Sequence, residues 1–128
     1  MTSAYHDRRH LQDRIREEID RAARYGHPFA IFVFEAQPIA DGVTVRHRVN
    51  EAIESIRPQL RPSDVIARVF EDAIAVLLVE TDAWGAKHAL LRLRGRLATL
   101  GSRAWRIEMY VYPKDAQAIE SLPLSTAA

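Results

Sequence analysis

Residues 61–79, RPSDVIARVFEDAIAVLLV, hold two apolar runs, 65–70 and 73–79, on either side of an acidic pair, Glu71 and Asp72. Runs this short and this rich in β-branched residues, split by a turn-sized polar insert, predict a β-hairpin. The second arm shows no alternation, which suits a central strand covered on both faces. Hairpin turns favour residues that accept a positive φ, and this centre offers neither Gly nor Asn. Phe70, Glu71, Asp72 and Ala73 are therefore an unusual set for a hairpin tip.

Upstream of the hairpin, Leu11, Ile15, Ile19 and Ala22 recur at helical spacing and predict an amphipathic helix over residues 5–25, stopped by Gly26 and Pro28. The continuous apolar run over 29–34 reads as a buried strand ending in Glu35. A second helix over 43–56 follows from Val45, Val49, Ala52 or Ile53, and Ile56, with Pro58 ending it. Downstream, Asp82 or Thr81 caps a third helix with the stripe Ala86, Leu90, Leu93, Leu97 and Leu100, closed by Gly101. Trp105, Ile107, Met109 and Val111 alternate with Arg106, Glu108, Tyr110 and Tyr112, the pattern of a strand with one buried face. The order of elements predicts an α+β domain: one mostly antiparallel sheet packed by helices.

A chain of 128 residues forms one core, and 48% hydrophobic residues is an ordinary globular composition. Lys+Arg 18 against Asp+Glu 17 leaves a net charge of +1. That balance argues against broad electrostatic capture of nucleic acid or of a membrane surface. The basic residues are nearly all Arg, which suits planar contacts with phosphate or carboxylate and equally reflects composition alone. With no Cys, disulfides, thiolate nucleophiles and zinc–thiolate sites are excluded. The charged start MTSAYHDRRH predicts no signal peptide, and no apolar run is long enough to insert in a membrane, so a cytoplasmic protein is expected. Hydrolase, NTPase and dinucleotide motifs are absent. His6 and His10 stand four apart, a spacing that suits metal ligands, but no third ligand accompanies them; an exposed pair is expected, with no metal and no cofactor. Trp84 and Trp105 fall in patterns that a core explains.

Several motifs resemble those of the GGDEF domains, the bacterial diguanylate cyclase family. In DRRHLQDRIREEIDRAARYGHPFAIFVFE, residues 7–35, Asp7-Arg8-Arg9 stands where the family has an NRR-like triplet, and residues 24–30 match its RYGxPFA ending. At the hairpin, Arg68 and Val69 precede Phe70, Glu71, Asp72, Ala73 and Ile74, which occupy the signature positions; only Asp72 is retained. Tyr112-Pro113-Lys114-Asp115-Ala116 resembles the family's YPxDA segment. The resemblance implies a class III nucleotide-cyclase-like fold with a five-stranded sheet, lacking the family's C-terminal helix. A degenerate domain over 1–117 is expected, with 118–128 a short disordered tail.

The same resemblance implies a lost activity. Active relatives need glycines where the nucleotide phosphates approach, because a Cβ there is in the way. Phe70 and Glu71 put bulk and negative charge in those places, and Ala73 removes a carboxylate. Glu35 stands where relatives end the strand in a magnesium-binding Asp, but Ala36, Gln37 and Pro38 follow it, and the guanine-binding loop shrinks to residues 38–42.

Arg61-Pro62-Ser63-Asp64 matches the family's RxxD inhibitory site, five residues before the signature, where relatives bind cyclic di-GMP. A guanidinium donates to guanine or phosphate and a carboxylate accepts from the guanine edge. Arg68 or another nearby Arg is expected to assist. The bland reading is a polar turn that caps itself. Two functions therefore stand side by side: a catalytically inactive sensor of cyclic di-GMP, or a protein-interaction or dimerisation module that binds no nucleotide. A less covered sheet edge also predicts a homodimer or protein partner. Substitutions at Arg61 and Asp64, read as exposed, are expected to leave the fold intact.

Overall fold

The computed structural model describes residues 6–38, 44–100 and 104–122. Its centre is the expected hairpin. Strand β3 (Val65–Phe70) and strand β4 (Ala73–Leu78) pair antiparallel, with Val65 opposite Leu77 and Phe70 opposite Ala73. The register shifts between Arg68 and Phe70, so a bulge at Val69 turns the chain. Neither Glu71 nor Asp72 takes a positive φ, which is how this tip dispenses with Gly and Asn.

Strand β2 (Phe29–Ala36) lies on the other side of β4, and β5 (Trp105–Tyr112) pairs with β2. The sheet has five strands in the order β1-β3-β4-β2-β5. The fifth is a two-residue strand β1 (His6–Asp7), parallel to β3. It occupies the start of the stretch expected to be helical; helix α1 runs Arg8–Tyr25. Asp7 decides that boundary: extended itself, it caps the helix by accepting from the His10 N–H at 2.9 Å. Gly26 closes α1 in the left-handed conformation that only glycine adopts cheaply.

Helix α2 (Val45–Ile56) starts after its cap Thr44, and Pro58 sits in a 3-10 turn, Arg57–Gln59, that continues from it. Helix α3 (Ala83–Ala98) starts at the expected cap Asp82, whose carboxylate accepts from the Gly85 N–H. The sheet is covered on both faces. Val49, Ala52, Ile53 and Ile56 of α2 and Ala86, Ala89, Leu93 and Leu97 of α3 pack against Phe32, Phe34 and Val76 on one side. Leu11 and Ile15 of α1 pack against Phe29, Ile31 and Leu77 on the other. Every residue of β4 is buried, because its side chains enter both cores alternately. That is why its sequence lacks a polar face.

Four expectations need correction. Ile119 is buried against the second core within a short helix α4 (Ala116–Glu120), and Leu122 packs there too. A terminal helical turn is therefore present, and a domain limit at residue 117 would cut through it; residues 123–128 of the expected tail lie outside the described residues. Leu100 is exposed because α3 ends before it, and the expected stop at Gly101 lies outside the described residues. On β5, Met109 is exposed, while Tyr110 and Tyr112 pack on the opposite core, so this strand is half-covered on both faces. Trp105 packs against the first core as expected, but Trp84 stands 73% exposed on α3.

Candidate functional site

The chain leaves the 3-10 turn extended at Leu60 and must reverse before β3. Arg61-Pro62-Ser63-Asp64 makes that reversal: the Asp64 N–H donates to the Arg61 carbonyl at 2.9 Å. The Asp64 side chain then folds back on the turn. Its Oδ2 accepts from the Arg61 backbone N–H at 2.9 Å and from Arg61 Nε at 3.2 Å. Its Oδ1 accepts from Arg61 Nη2 at 3.0 Å and from the Val79 N–H at 3.3 Å. The Asp64 side chain is 2% exposed and that of Arg61 52% exposed. Asp64 is thus a buried clamp rather than an outward-facing carboxylate. A carboxylate offers about four acceptor sites, and four donors engage this one.

Arg61 extends the clamp across the hairpin's open end. Its Nη2 also donates to the Val79 carbonyl at 2.7 Å and to Thr81 Oγ1 at 3.0 Å, while the Thr81 hydroxyl donates to the same carbonyl. Glu80, between these anchors, takes φ 44°, a left-handed conformation disfavoured for a residue with a Cβ. That strain, about 1 kcal/mol, is held by bonds on both sides of it. Glu80 in turn meets Arg21 of α1 at 3.6 Å.

The exposed half of Arg61 faces a cleft of about 500 Å³ lined also by His27, Gln59, Glu80, Thr81 and Arg92. This is within the size range of small-molecule sites. Arg92, on α3, brings a second guanidinium to the same cleft as Arg61. Sequence reading missed it: in LLRLRG it is one polar position in a helix, and nothing local links it to Arg61. Arg68, expected to assist, is elsewhere. Its guanidinium donates to Asn50 Oδ1 of α2 at 3.0 Å and to the Glu71 carbonyl at 2.9 Å, toward the hairpin tip.

The tip itself carries Phe70, still 40% exposed, and the exposed Glu71. The Arg8 guanidinium lies 5.3 Å from the Phe70 ring centre and donates to the Val69 carbonyl. Glu35 ends up beside the tip, paired across the sheet with Ala73 and Arg106, and the Ala36 N–H donates to the Asp72 carbonyl. Nearby, the buried Arg48 of α2 donates to the carbonyls of Gln37 and Ala104 and lies 5.4 Å from the Trp105 ring centre. Glu35 accepts from the Gln37 side chain, and among the described residues no three His, Cys, Asp or Glu side chains cluster to hold a metal. The shortened loop over 39–42 lies outside the described residues. Among those described, no helix is long and apolar enough to cross a membrane.

No protein-family model and no curated protein matches the sequence. Solved structures do match. A DGC protein from Thermotoga maritima superposes with a TM-score of 0.79 at 19% identity, over 96% of each chain. The diguanylate cyclase SiaD of Pseudomonas aeruginosa, solved with its activator SiaC, superposes with a TM-score of 0.69 at 21% identity; 89% of this chain covers 50% of that one. A microbial GGDEF domain solved for its interaction with cyclic di-GMP gives a TM-score of 0.64 at 18% identity, over 90% of this chain and 78% of that chain. The chain therefore has the fold of the GGDEF, diguanylate cyclase-like, domains.

Proposed function

We propose that this is a catalytically inactive, degenerate GGDEF-like signalling domain that binds cyclic di-GMP in the cleft at the open end of its hairpin. The observation that carries the reading is the fixed posture of Arg61. Asp64 holds its guanidinium by two parallel bonds, and half of the side chain still faces the cleft. Nε and Nη2 are committed to Asp64, Val79 and Thr81, so Nη1 is the group left to donate to a guanine acceptor or a phosphate oxygen, and because the head is already held, little rotamer freedom is lost on binding. Arg92 is the second donor of the reading. Asp64 acts as the positioning residue, since its own acceptor sites are filled from within the chain. Such a domain would work in the cytoplasm.

Inactivity is part of the same proposal. A backbone approach to triphosphate is blocked by the Phe70 ring and by the negative charge of Glu71, and Arg8 packs over Phe70. A second reading, an interaction module that binds no nucleotide, is favoured by one observation: the saturation of Asp64, which leaves the RxxD pair complete without a ligand. Calorimetric titration of the purified domain with cyclic di-GMP separates the two. Saturable heat supports the sensor; no heat at hundreds of micromolar nucleotide leaves the interaction module in its place.

A further inference from the structure

Helix α3, AWGAKHALLRLRGRLA, carries Lys87, Arg92, Arg94 and Arg96 and no acidic residue between Ala83 and Ala98, in a chain whose net charge is only +1. Its inner face, Ala86, Ala89, Leu93 and Leu97, is consumed by the core. Its outer face is not polar. Trp84, His88, Leu91, Gly95 and Ala98 are all exposed, with Trp84 at 73% and Leu91 at 58%, and they follow one another at steps of four and three residues. That spacing draws a single stripe along a helix, the seam one helix offers another. At 100° per residue, Lys87 and Arg94 fall on one flank of the stripe and Arg92 and Arg96 on the other. The Trp84 ring rests 4.1 Å from that of His88, so the apolar end of the stripe is already ordered.

Gly95 adds a second, independent sign. It sits mid-helix without a positive φ, and a Cβ built on it meets nothing within 4 Å. Glycine weakens a helix interior relative to alanine, and nothing within the described chain requires its bare backbone. A residue with that cost and no internal purpose, at the centre of an exposed seam, fits close approach by another backbone.

We propose that the outer face of α3 docks an acidic amphipathic helix of a partner protein: an apolar ridge seated over Trp84, Leu91 and Gly95, with Asp or Glu along its edges facing the two basic flanks. A second copy of α3 is disfavoured as the occupant, because it would set Lys and Arg against Lys and Arg with no carboxylate in either helix. A lipid surface is disfavoured because a bare backbone at Gly95 gives it nothing, whereas a helix packs closer there. The inference is independent of nucleotide binding. Arg92 borders both the cleft and the seam, and is therefore left intact in its test.

The probe is a synthetic helix of about three heptads with Leu at a and d and Glu at e and g, whose own charges oppose its self-pairing. Added to the labelled full chain, it is expected to shift the amides of residues 84–98. Binding should weaken by about tenfold or more in Leu91→Glu and in Gly95→Leu, each checked for an unchanged circular dichroism spectrum, as expected of centrally placed contacts. It should weaken as salt rises and stay unchanged in Arg61→Ala, so that loss of the nucleotide reading leaves this one standing. The proposal is overturned by absence of shifts at hundreds of micromolar peptide, by equal binding to the variants, or by equal binding of the same peptide with Lys in place of Glu. It is equally overturned if phosphatidylserine vesicles shift these amides while the peptide does not, or if sedimentation shows a dimer that Leu91→Glu abolishes.

Discussion

The two ends of one hairpin have been treated in opposite ways. At the tip, β3 and β4 meet through a bulge, an exposed ring under an Arg, and carbonyls bonded to neighbouring strands and side chains. At the open end, about six residues or 20 Å away along β4, a charged pair is locked together beside an open cleft. The tip is built around a partly exposed ring; the open end is hollow and organised. The contrast teaches where to look for function in this fold: in the end whose polar groups are arranged around empty space.

The largest expected effect falls on stability and at the open end. Asp64→Ala removes the acceptor of four donors and leaves the Val79 N–H and the Arg61 head without it. A loss of about 2–4 kcal/mol is expected in urea or thermal unfolding, given the size of charge-assisted bonds and the half-exposure of Arg61. Asp72→Ala, the carboxylate at the tip, should change stability by less than about 0.5 kcal/mol. Equal melting of the two variants would erase the contrast. The sequence alone reads Arg61 and Asp64 as an exposed turn, and the burial of the Asp64 side chain reverses that expectation.

The next effect is on affinity. Arg61→Lys keeps the charge but loses the planar fork that Asp64 grips, so cyclic di-GMP binding should fall by about tenfold or more. Undiminished binding would mean that charge alone, rather than a positioned guanidinium, serves the cleft.

A smaller effect is expected at the tip. Phe70→Gly removes a partly exposed ring and its Arg8 contact and should destabilise the fold by about 1 kcal/mol. Neither the wild type nor this variant should form cyclic di-GMP from GTP and magnesium, judged by chromatography against a no-protein control. Product in either would make the tip a working site and collapse the distinction between the ends.

The smallest effect tests a place that belongs to neither end. Burial, and then the hydrogen bond to Glu108, push the Tyr110 phenol above its ordinary value of 10.0. Its folded-state pKa is raised, so its contribution to stability is complete below the ordinary value and is lost as pH rises through the folded one. Absorbance titration should show this tyrosine ionising late, in a profile that Arg61→Ala leaves unchanged. A profile shifted by Arg61→Ala would show that the open end is not a local unit.

The fold was legible because its signals are local. Apolar runs, the Asp82 cap and the Gly26 stop each act within a few residues, and β4 betrayed its central place by lacking a polar face. What escaped depends on tertiary contact. The two-residue β1 exists only because β3 offers it an edge, and Ile119 becomes a core residue only when α4 meets the sheet. At the site, the RxxD spacing identified Arg61 and Asp64, but their mutual bonding and the burial of Asp64 follow from the return of β4 beside the turn. Arg92 joins the cleft across a chain separation no motif spans, and Arg68 leaves it because its place on β3 turns it toward Asn50.

The central claim is that the open end, and not the tip, receives the nucleotide. It is tested most directly by titrating cyclic di-GMP into the wild type, Arg61→Ala and Phe70→Ala side by side in a calorimeter. The account predicts saturable binding to the wild type, a loss of about one to two decades in affinity for Arg61→Ala, and wild-type affinity for Phe70→Ala. Binding that survives Arg61→Ala and fails in Phe70→Ala, or no binding by any of the three, would contradict it.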